Sequence, residues 1–312
     1  MAVTIDDILA AINRVYSGAL AKTLLETSPA YQRLQAMGKV VTDARIEHRW
    51  PAVSKAYGGV TSIADGGTLP VSDQEEYDTA QLRYSINIGT VRVGRLLKMA
   101  SSNKDEFFVE IQRQVDAAMR QLAREIHLQI VRDEKVRTTD LTGLGEAVRM
   151  NDNTYAGIAR ATNAFWQPYV NDNGGTNRPL SEALMTDVFD VLVQERGAQT
   201  GEIWSGTTAW NAAADLLGTT VRTSDPNNIR GGAQTINWKG LDIIKMPNMD
   251  TNTMDFLDFE SDDGIQLKRQ HEKDFITQNE ATNSYDELVS IAGHYQLIVH
   301  NPFKQGCLKD VA

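Results

Sequence analysis

The sequence predicts an α+β fold, and three stretches carry that expectation. Residues 79–93, "TAQLRYSINIGTVRV", alternate in hydropathy with the period of a strand. Residues 101–134 repeat apolar side chains every three or four positions, the period of a long helix. From about 150 to 250, helical and strand patterns alternate, which suggests a second α/β unit. A chain of 312 residues also exceeds the usual single core, so about two domains are expected.

In chain order, Thr4 with Asp7 three residues on fits a helix N-terminus. Ile5, Ile8, Leu9, Ile12, Val15 and Leu20 then follow helical spacing. This helix either docks on its own domain or reaches a neighbour. After Gly38, Ala44, Ile46, His48 and Trp50 alternate with Arg45, Glu47 and Arg49, which predicts a strand. Residues 51–78 are rich in Gly, Ser, Asp and Pro and read as a loop. The ribbon 79–93 is expected to return against 42–50 as a long antiparallel hairpin. Leu82, Tyr84, Ile86 and Ile88 share one face of it, with Gln81, Arg83, Ser85 and Asn87 on the other. Val91 and Val93 have the opposite parity, so a bulge is expected at Gly89. A two-stranded ribbon with one apolar face is marginal in water, so something must cover it.

The long helix opens with Ser102 and Asp105 in a capping pattern and runs its apolar face through Phe108, Ile111, Val115, Met119, Leu122, Ile126 and Ile130. Residues 138–180, dense in Asn, Asp and Gly, read as loops. A helix from Ser181 to Gly197, a strand in "EIWSG", a helix over Ala209–Leu217 and strands in "INWKGLDIIKM" follow. Strands in "MDFLDFE", "GIQLKRQ" and "VSIAGHYQLIVHNP" close the chain.

Bulk properties exclude some functions. The net charge is −10, all of it in residues 151–312, since residues 1–150 balance. That argues against a sequence-reading nucleic-acid binder, but suits a container that must not grip a polyanion. No apolar run approaches the ~20 residues of a membrane helix. Two early aspartates do not suit a signal peptide, and the single cysteine, Cys307, fits a reducing compartment.

Catalytic and metal patterns fail on spacing. No phosphate loop is present, and "TGLGEAV" at 142–148 lacks the third glycine of a dinucleotide site. His48, His127, His271, His294 and His300 form no HExxH, and His127 is expected on a helix surface or interface. The "DFESDDGIQLKRQ" stretch puts Phe259 and Gln270 where a calcium loop needs carboxylates. Cys307 reads as a buried small hydrophobe, and Asp262 with Asp263 as turn residues. Arg113, Arg120 and Arg124 could form a polyanion stripe, but Glu110, Asp116 and Glu125 stand near enough to pair with them. No cofactor, metal or catalytic set is expected.

The order of elements resembles the major capsid proteins of tailed bacteriophages, with the Hong Kong 97 fold. "ADGGTLPVSDQEEYDTAQLRYSINIGTVRVG" followed by "RLLKMASSNKDEFFVEIQRQVDAAM" is similar to that family's extended loop and spine helix. In "YAGIARATNAFWQPYV", Tyr155, Gly157, Ile158, Arg160, Trp166 and Pro168 match the stretch that follows the spine helix. "EIWSGTTAWNAAADL" and "INWKGLDIIKMPNM" resemble axial-domain elements, and "GHYQLIVHNPFKQGCLKDV" the final strand.

The resemblance implies an N-terminal arm over 1–38, an extended loop over 39–98 and a peripheral domain over 99–174 and 251–290 containing spine helix 101–134. It implies an axial domain over 175–250 and 291–312. It implies self-assembly through pentamers and hexamers into an icosahedral shell around double-stranded DNA, in a virion built in the cytoplasm of a bacterial host. No enzymatic role, membrane or cofactor belongs to that reading. Partners would be other copies, with separate scaffolding, portal and decoration proteins. A cleaved scaffolding segment is not expected before the arm. The ribbon would lie across the adjacent subunit through Lys55, Gly66, Gly67, Leu69, Pro70, Leu82, Tyr84, Ile86 and Ile88. Some members join subunits by a lysine–asparagine bond. Lys55 is the only lysine between 40 and 97, and with no acidic helper identifiable, cross-linking is not expected.

Two alternatives stand beside this reading. An encapsulin, a bacterial nanocompartment of the same fold, would enclose a cargo enzyme. A soluble enzyme, acting on carbohydrates through paired acids brought together from distant residues, would be compact and of low mass.

Overall fold

The computed structural model describes residues 28–55, 62, 65, 67, 75–93, 104–217, 235–261, 264–271, 276–280 and 287–312. The helix expected over residues 4–20 lies outside them. Helix α1 (Pro29–Ala36) starts at Ser28, whose side chain accepts from the Tyr31 amide, with Pro29 in the first turn where no N–H is needed. Ala30, Tyr31 and Leu34 are buried, and Tyr31 meets Tyr295 edge-on at 6.4 Å. The last part of the expected arm is therefore core.

Strands β1 (Val40–Thr42), β2 (Glu47–Lys55), β3 (Glu76–Arg83) and β4 (Ser85–Val93) follow. The hairpin forms, but with different partners from those expected. β2 pairs with β3, Glu47 opposite Arg83 and Trp50 opposite Ala80. β4 leaves the hairpin and pairs instead with β14 (Glu287–Val299), from Ser85 opposite Tyr295 to Val93 opposite Glu287. The ribbon 79–93 is thus two strands broken at Tyr84. The phase change falls there, and Gly89 sits unbulged in regular pairing with Ile291.

The long helix α2 (Lys104–Val131) spans roughly 42 Å at 1.5 Å per residue. Its described inner face (Val115, Met119, Leu122, Ile126 and Ile130) is buried as the spacing predicts. Each such side chain contributes roughly 1.5–3 kcal/mol of apolar burial. The helix ends three residues earlier than expected, and Arg149 Nη1 donates to the freed Val131 carbonyl at 3.0 Å. The chain then doubles back closely over the helix end. A Cβ at Gly143 would lie 2.2 Å from the Gln129 carbonyl oxygen, and one at Gly145 2.1 Å from that of Asp133. The "TGLGEAV" glycines therefore serve close backbone packing at α3 (Leu144–Val148).

Residues 138–180 hold more than loops: α3, the two-residue hairpin β5 (Thr154–Tyr155) and β6 (Ile158–Ala159), and β7 (Tyr169–Asn171). These elements are too short for periodicity to show. Helix α4 (Glu182–Asp190), capped by Ser181 and extended by one π turn over Val191–Glu195, ends at Gly197 with φ 63°. β8 (Thr200–Ser205), α5 (Thr207–Leu216), β9 (Thr235–Trp238), β10 (Leu241–Lys245) and β11 (Met254–Asp258) match the predicted order. β12 (Ile265–Arg269) and β14 were expected too, but β13 (Ile276–Glu280) was not read. β15 (Gly306–Leu308) closes the chain.

Two sheets result. The five-stranded one runs β1-β12-β14-β13, with β4 also on β14. The six-stranded one runs β7-β15-β11-β8-β10-β9. The division drawn at 290/291 falls inside β14, and β11 joins the six-stranded sheet. One apolar cluster gathers α1, the hairpin base, α2, α3, β12 and β14; the other gathers α4, α5 and much of the six-stranded sheet.

Candidate assembly surface

The base of the hairpin is seated on its own chain. In β2, His48, Trp50 and Ala52 face inward, joined from β3 by buried Ala80 and by Leu82, which packs on the same core. The Trp50 indole donates to the His300 carbonyl at 2.9 Å, and its ring lies 5.5 Å from those of His48 and His300. On the outer edge of β3, Gln81 N–H donates to the Ala156 carbonyl at 2.9 Å. Ala156 and Gly157 form the β5–β6 turn with φ of 52° and 85°. Gly157 accepts that conformation freely, and Ala156 holds it while carrying the β3 contact.

The stretch 155–168 supports this seat. Arg160 is fully buried and donates to the carbonyls of Glu146 at 2.7 Å, Met150 at 2.6 Å, Ala147 at 2.6 Å and Trp166 at 3.1 Å. Burial without a paired acid pulls its pKa down to about 10. The Trp166 indole donates to the Tyr155 carbonyl, and the Tyr155 hydroxyl bridges to Val299. The residues quoted for this stretch are thus a structural knot beneath the hairpin.

Beyond Tyr84 the inward and outward roles change parity. Ser85 and Asn87 are buried under α2, where Ser85 Oγ donates to the Thr139 carbonyl at 2.8 Å and Gln129 Nε2 donates to Asn87 Oδ1 at 2.9 Å. Ile86 and Ile88 point the other way and are 56% and 58% exposed. Ile46, Val53 and Tyr77 are also exposed on the ribbon, Val53 opposite Tyr77.

Of the residues expected to contact a neighbour, Ile86 and Ile88 are brought together on one exposed face. Tyr84 is half-buried at the break, and Leu82 faces its own core. Lys55 is exposed, with Glu76 4.0 Å away, so an acid does stand beside it. Gly67 is exposed. Gly66, Leu69 and Pro70 lie outside the described residues, as do Asp262 and Asp263.

Polar clusters elsewhere hold the chain together. Arg149 pairs with Asp255 at 2.8 Å, both buried, and also with Asp133. Burial opposes the charge on Arg149, but Asp255 outweighs it and holds the guanidinium above its ordinary value. Cys307 is buried beside this pair, and burial first, then Asp255, push its thiol well up, so it stays protonated. His127 is not at a surface. It is 2% exposed, its Nε2 donates to the Pro247 carbonyl at 2.9 Å, and burial lowers its pKa. His271 and His294 lie with ring centroids 5.6 Å apart. Among the described residues no group of three or more His, Cys, Asp or Glu could hold a metal ion. No helix among them is long and apolar enough to cross a membrane.

Known proteins resemble this arrangement closely in fold. The capsid of Cyanophage A-1(L) matches with a TM-score of 0.69 at 16% identity, over 88% of this chain and 90% of that one. The capsid of a native GTA particle matches with a TM-score of 0.61 at 12% identity, over 89% and 90%. Mycobacterium phage Bobi matches with a TM-score of 0.53 at 10% identity, over 93% and 90%. At such identities the fold is what is shared, and it is the Hong Kong 97 capsid fold. No curated protein matches. A family model described as SU10 major capsid protein matches residues 86–312, which cover nearly all of β4, the long helix, the six-stranded sheet and every strand of the five-stranded sheet but β1. The chain belongs to the SU10 major capsid protein family and is a structural protein of a phage shell.

Proposed function

We propose that copies of this chain close through pentamers and hexamers into an icosahedral shell around double-stranded DNA, and that β4 supplies one subunit contact. The observation that carries the contact is the pair Ile86 and Ile88, exposed on a strand whose other face is engaged by α2 and by Thr139 beyond its end. Large apolar groups side by side on a sheet face favour a protein partner, and in a shell the partner is another copy. Lys55, Gly66, Gly67, Leu69, Pro70 and Tyr84 extend that contact along the ribbon, while Leu82 serves its base. The unit around the long helix and five-stranded sheet is the peripheral domain, and the six-stranded sheet with α4 and α5 is the axial domain. Assembly needs no bond made or broken, so the role is structural and not enzymatic. Scaffolding, portal and decoration proteins complete a virion assembled in the cytoplasm of a bacterial host.

Electron microscopy and light scattering of the purified chain test this reading. Closed shells are expected from the native chain. The double variant Ile86→Ser with Ile88→Ser should fold but remain as small particles. Normal shells from that variant would remove β4 from the interface, and an encapsulin reading would gain if native shells held a cargo enzyme instead of DNA.

A further inference from the structure

The long helix α2 has two unlike sides. Its buried side packs on β4, where Gly89 faces Ala118 and Asn87 bonds Gln129. Its outer side carries Arg113, Arg120 and Arg124, all exposed. Steps of seven and four residues keep these three within one stripe, along about 16 Å of helix axis. The acids that sequence spacing offers as their partners do not neutralise them all. Glu125 pairs with Arg132 at 3.3 Å, and among the described residues Arg120 and Arg124 form no ion pair. The exposed arginines on and beside the hairpin differ: Arg49 and Arg83 both pair with Glu47, and Arg45 pairs with Asp43. The stripe and the Ile86–Ile88 face lie on opposite sides of the layer that α2 and β4 build.

We propose that the outer side of α2 lines the shell interior and that Arg120 and Arg124 contact the phosphates of the enclosed double-stranded DNA. This rests on the shell reading above and assigns that shell a polarity. A guanidinium without a protein acid presents its planar fork to phosphate, and the contact is blind to base sequence. The chain's net charge of −10 keeps such contacts few, so the wall touches its contents without binding them tightly.

The test uses the full-length chain held unassembled by dilution, with a 30-base-pair duplex of mixed sequence as probe, across a salt series. Weak, salt-dependent binding is expected. In the variant Arg120→Gln with Arg124→Gln, log affinity against log salt should flatten by about 2, since each neutralised phosphate contributes ~0.9. Arg120→Lys with Arg124→Lys should keep the native slope. The control Arg49→Gln with Arg83→Gln removes equal charge elsewhere and should also keep it. Absence of binding by the native chain, an unchanged slope in the glutamine variant, or an equal loss in the control would each overturn the proposal. Microscopy separates this from the shell reading. Shells that close with Arg120→Gln and Arg124→Gln but hold DNA less stably support the inference. Shells that fail to close while the slope is unchanged mean that a second copy covers the stripe, and overturn it.

Discussion

β3 and β4 are consecutive, separated by one residue, and built from the same alternating pattern, yet they bury opposite classes of side chain. β3 turns Ala80 and Leu82 to its own core and leaves Gln81 and Arg83 outside, as alternation suggests. β4 turns Ser85 and Asn87 inward and leaves Ile86 and Ile88 in the open. The cost of burying a polar group falls when a partner waits for it, and Thr139 and Gln129 are those partners. A strand can then spend its apolar face on something outside the chain. Alternation therefore reports that two faces exist without reporting which one the chain keeps.

The largest expected effect in this comparison lies on the seated half. Trp50→Ala removes a buried indole and its bond to His300, and should cost about 3–5 kcal/mol, read as a fall in denaturation midpoint. Next comes the half that hides polar groups. Asn87→Leu, which an apolar-inward rule would favour, orphans one Gln129 bond and should cost about 1–3 kcal/mol by the same measurement. A gain in stability from that substitution would show that the polar contact is dispensable.

Acidity should separate the two halves more gently. Burial holds His48 below its ordinary value; the hydrogen bond to Asp43 opposes this, and Lys268 and Arg45 side with burial. A depressed histidine pKa means that the unfolded chain takes up the proton first. Stability is thus complete above the unfolded value of about 6.5 and falls as the pH drops through and below it. Hydrogen exchange, corrected for intrinsic rates, should quicken between pH 7 and pH 5 more at residues 47–53 and 79–83 than at 85–91. His48→Gln should erase the difference. Smallest of all on the fold, Ile86→Ser with Ile88→Ser should shift the stability of the unassembled chain by no more than about 0.5 kcal/mol while shells fail to form.

Elements long enough to show a period were readable from composition and spacing. Helix α2 repeats its apolar residues over many turns, β14 runs over 13 residues, and β8, α5, β10 and β11 stand out as apolar-rich stretches between turns. Helix α3 and the β5–β6 hairpin were not readable, because a five-residue helix and two-residue strands hold no period and exist through contacts with Asp133, Gln81 and Arg160. Strand β13 was missed for a similar reason, its role being to pair with β14. On the candidate surface, Ile86 and Ile88 were read on one face together with Leu82. The break at Tyr84 parts them, and nothing local announces it.

By itself the sequence determined the α+β class, the long helix, the order of the later strands and the lack of a recognisable catalytic or metal pattern, since each rests on nearby residues. Only the tertiary structure decided that β4 pairs with β14, that polar Ser85 and Asn87 lie within, and that Ile86, Ile88 and the arginines of α2 face outward. Those outcomes depend on partners up to about two hundred positions away. The free energy of hiding a side chain is set by what it meets there.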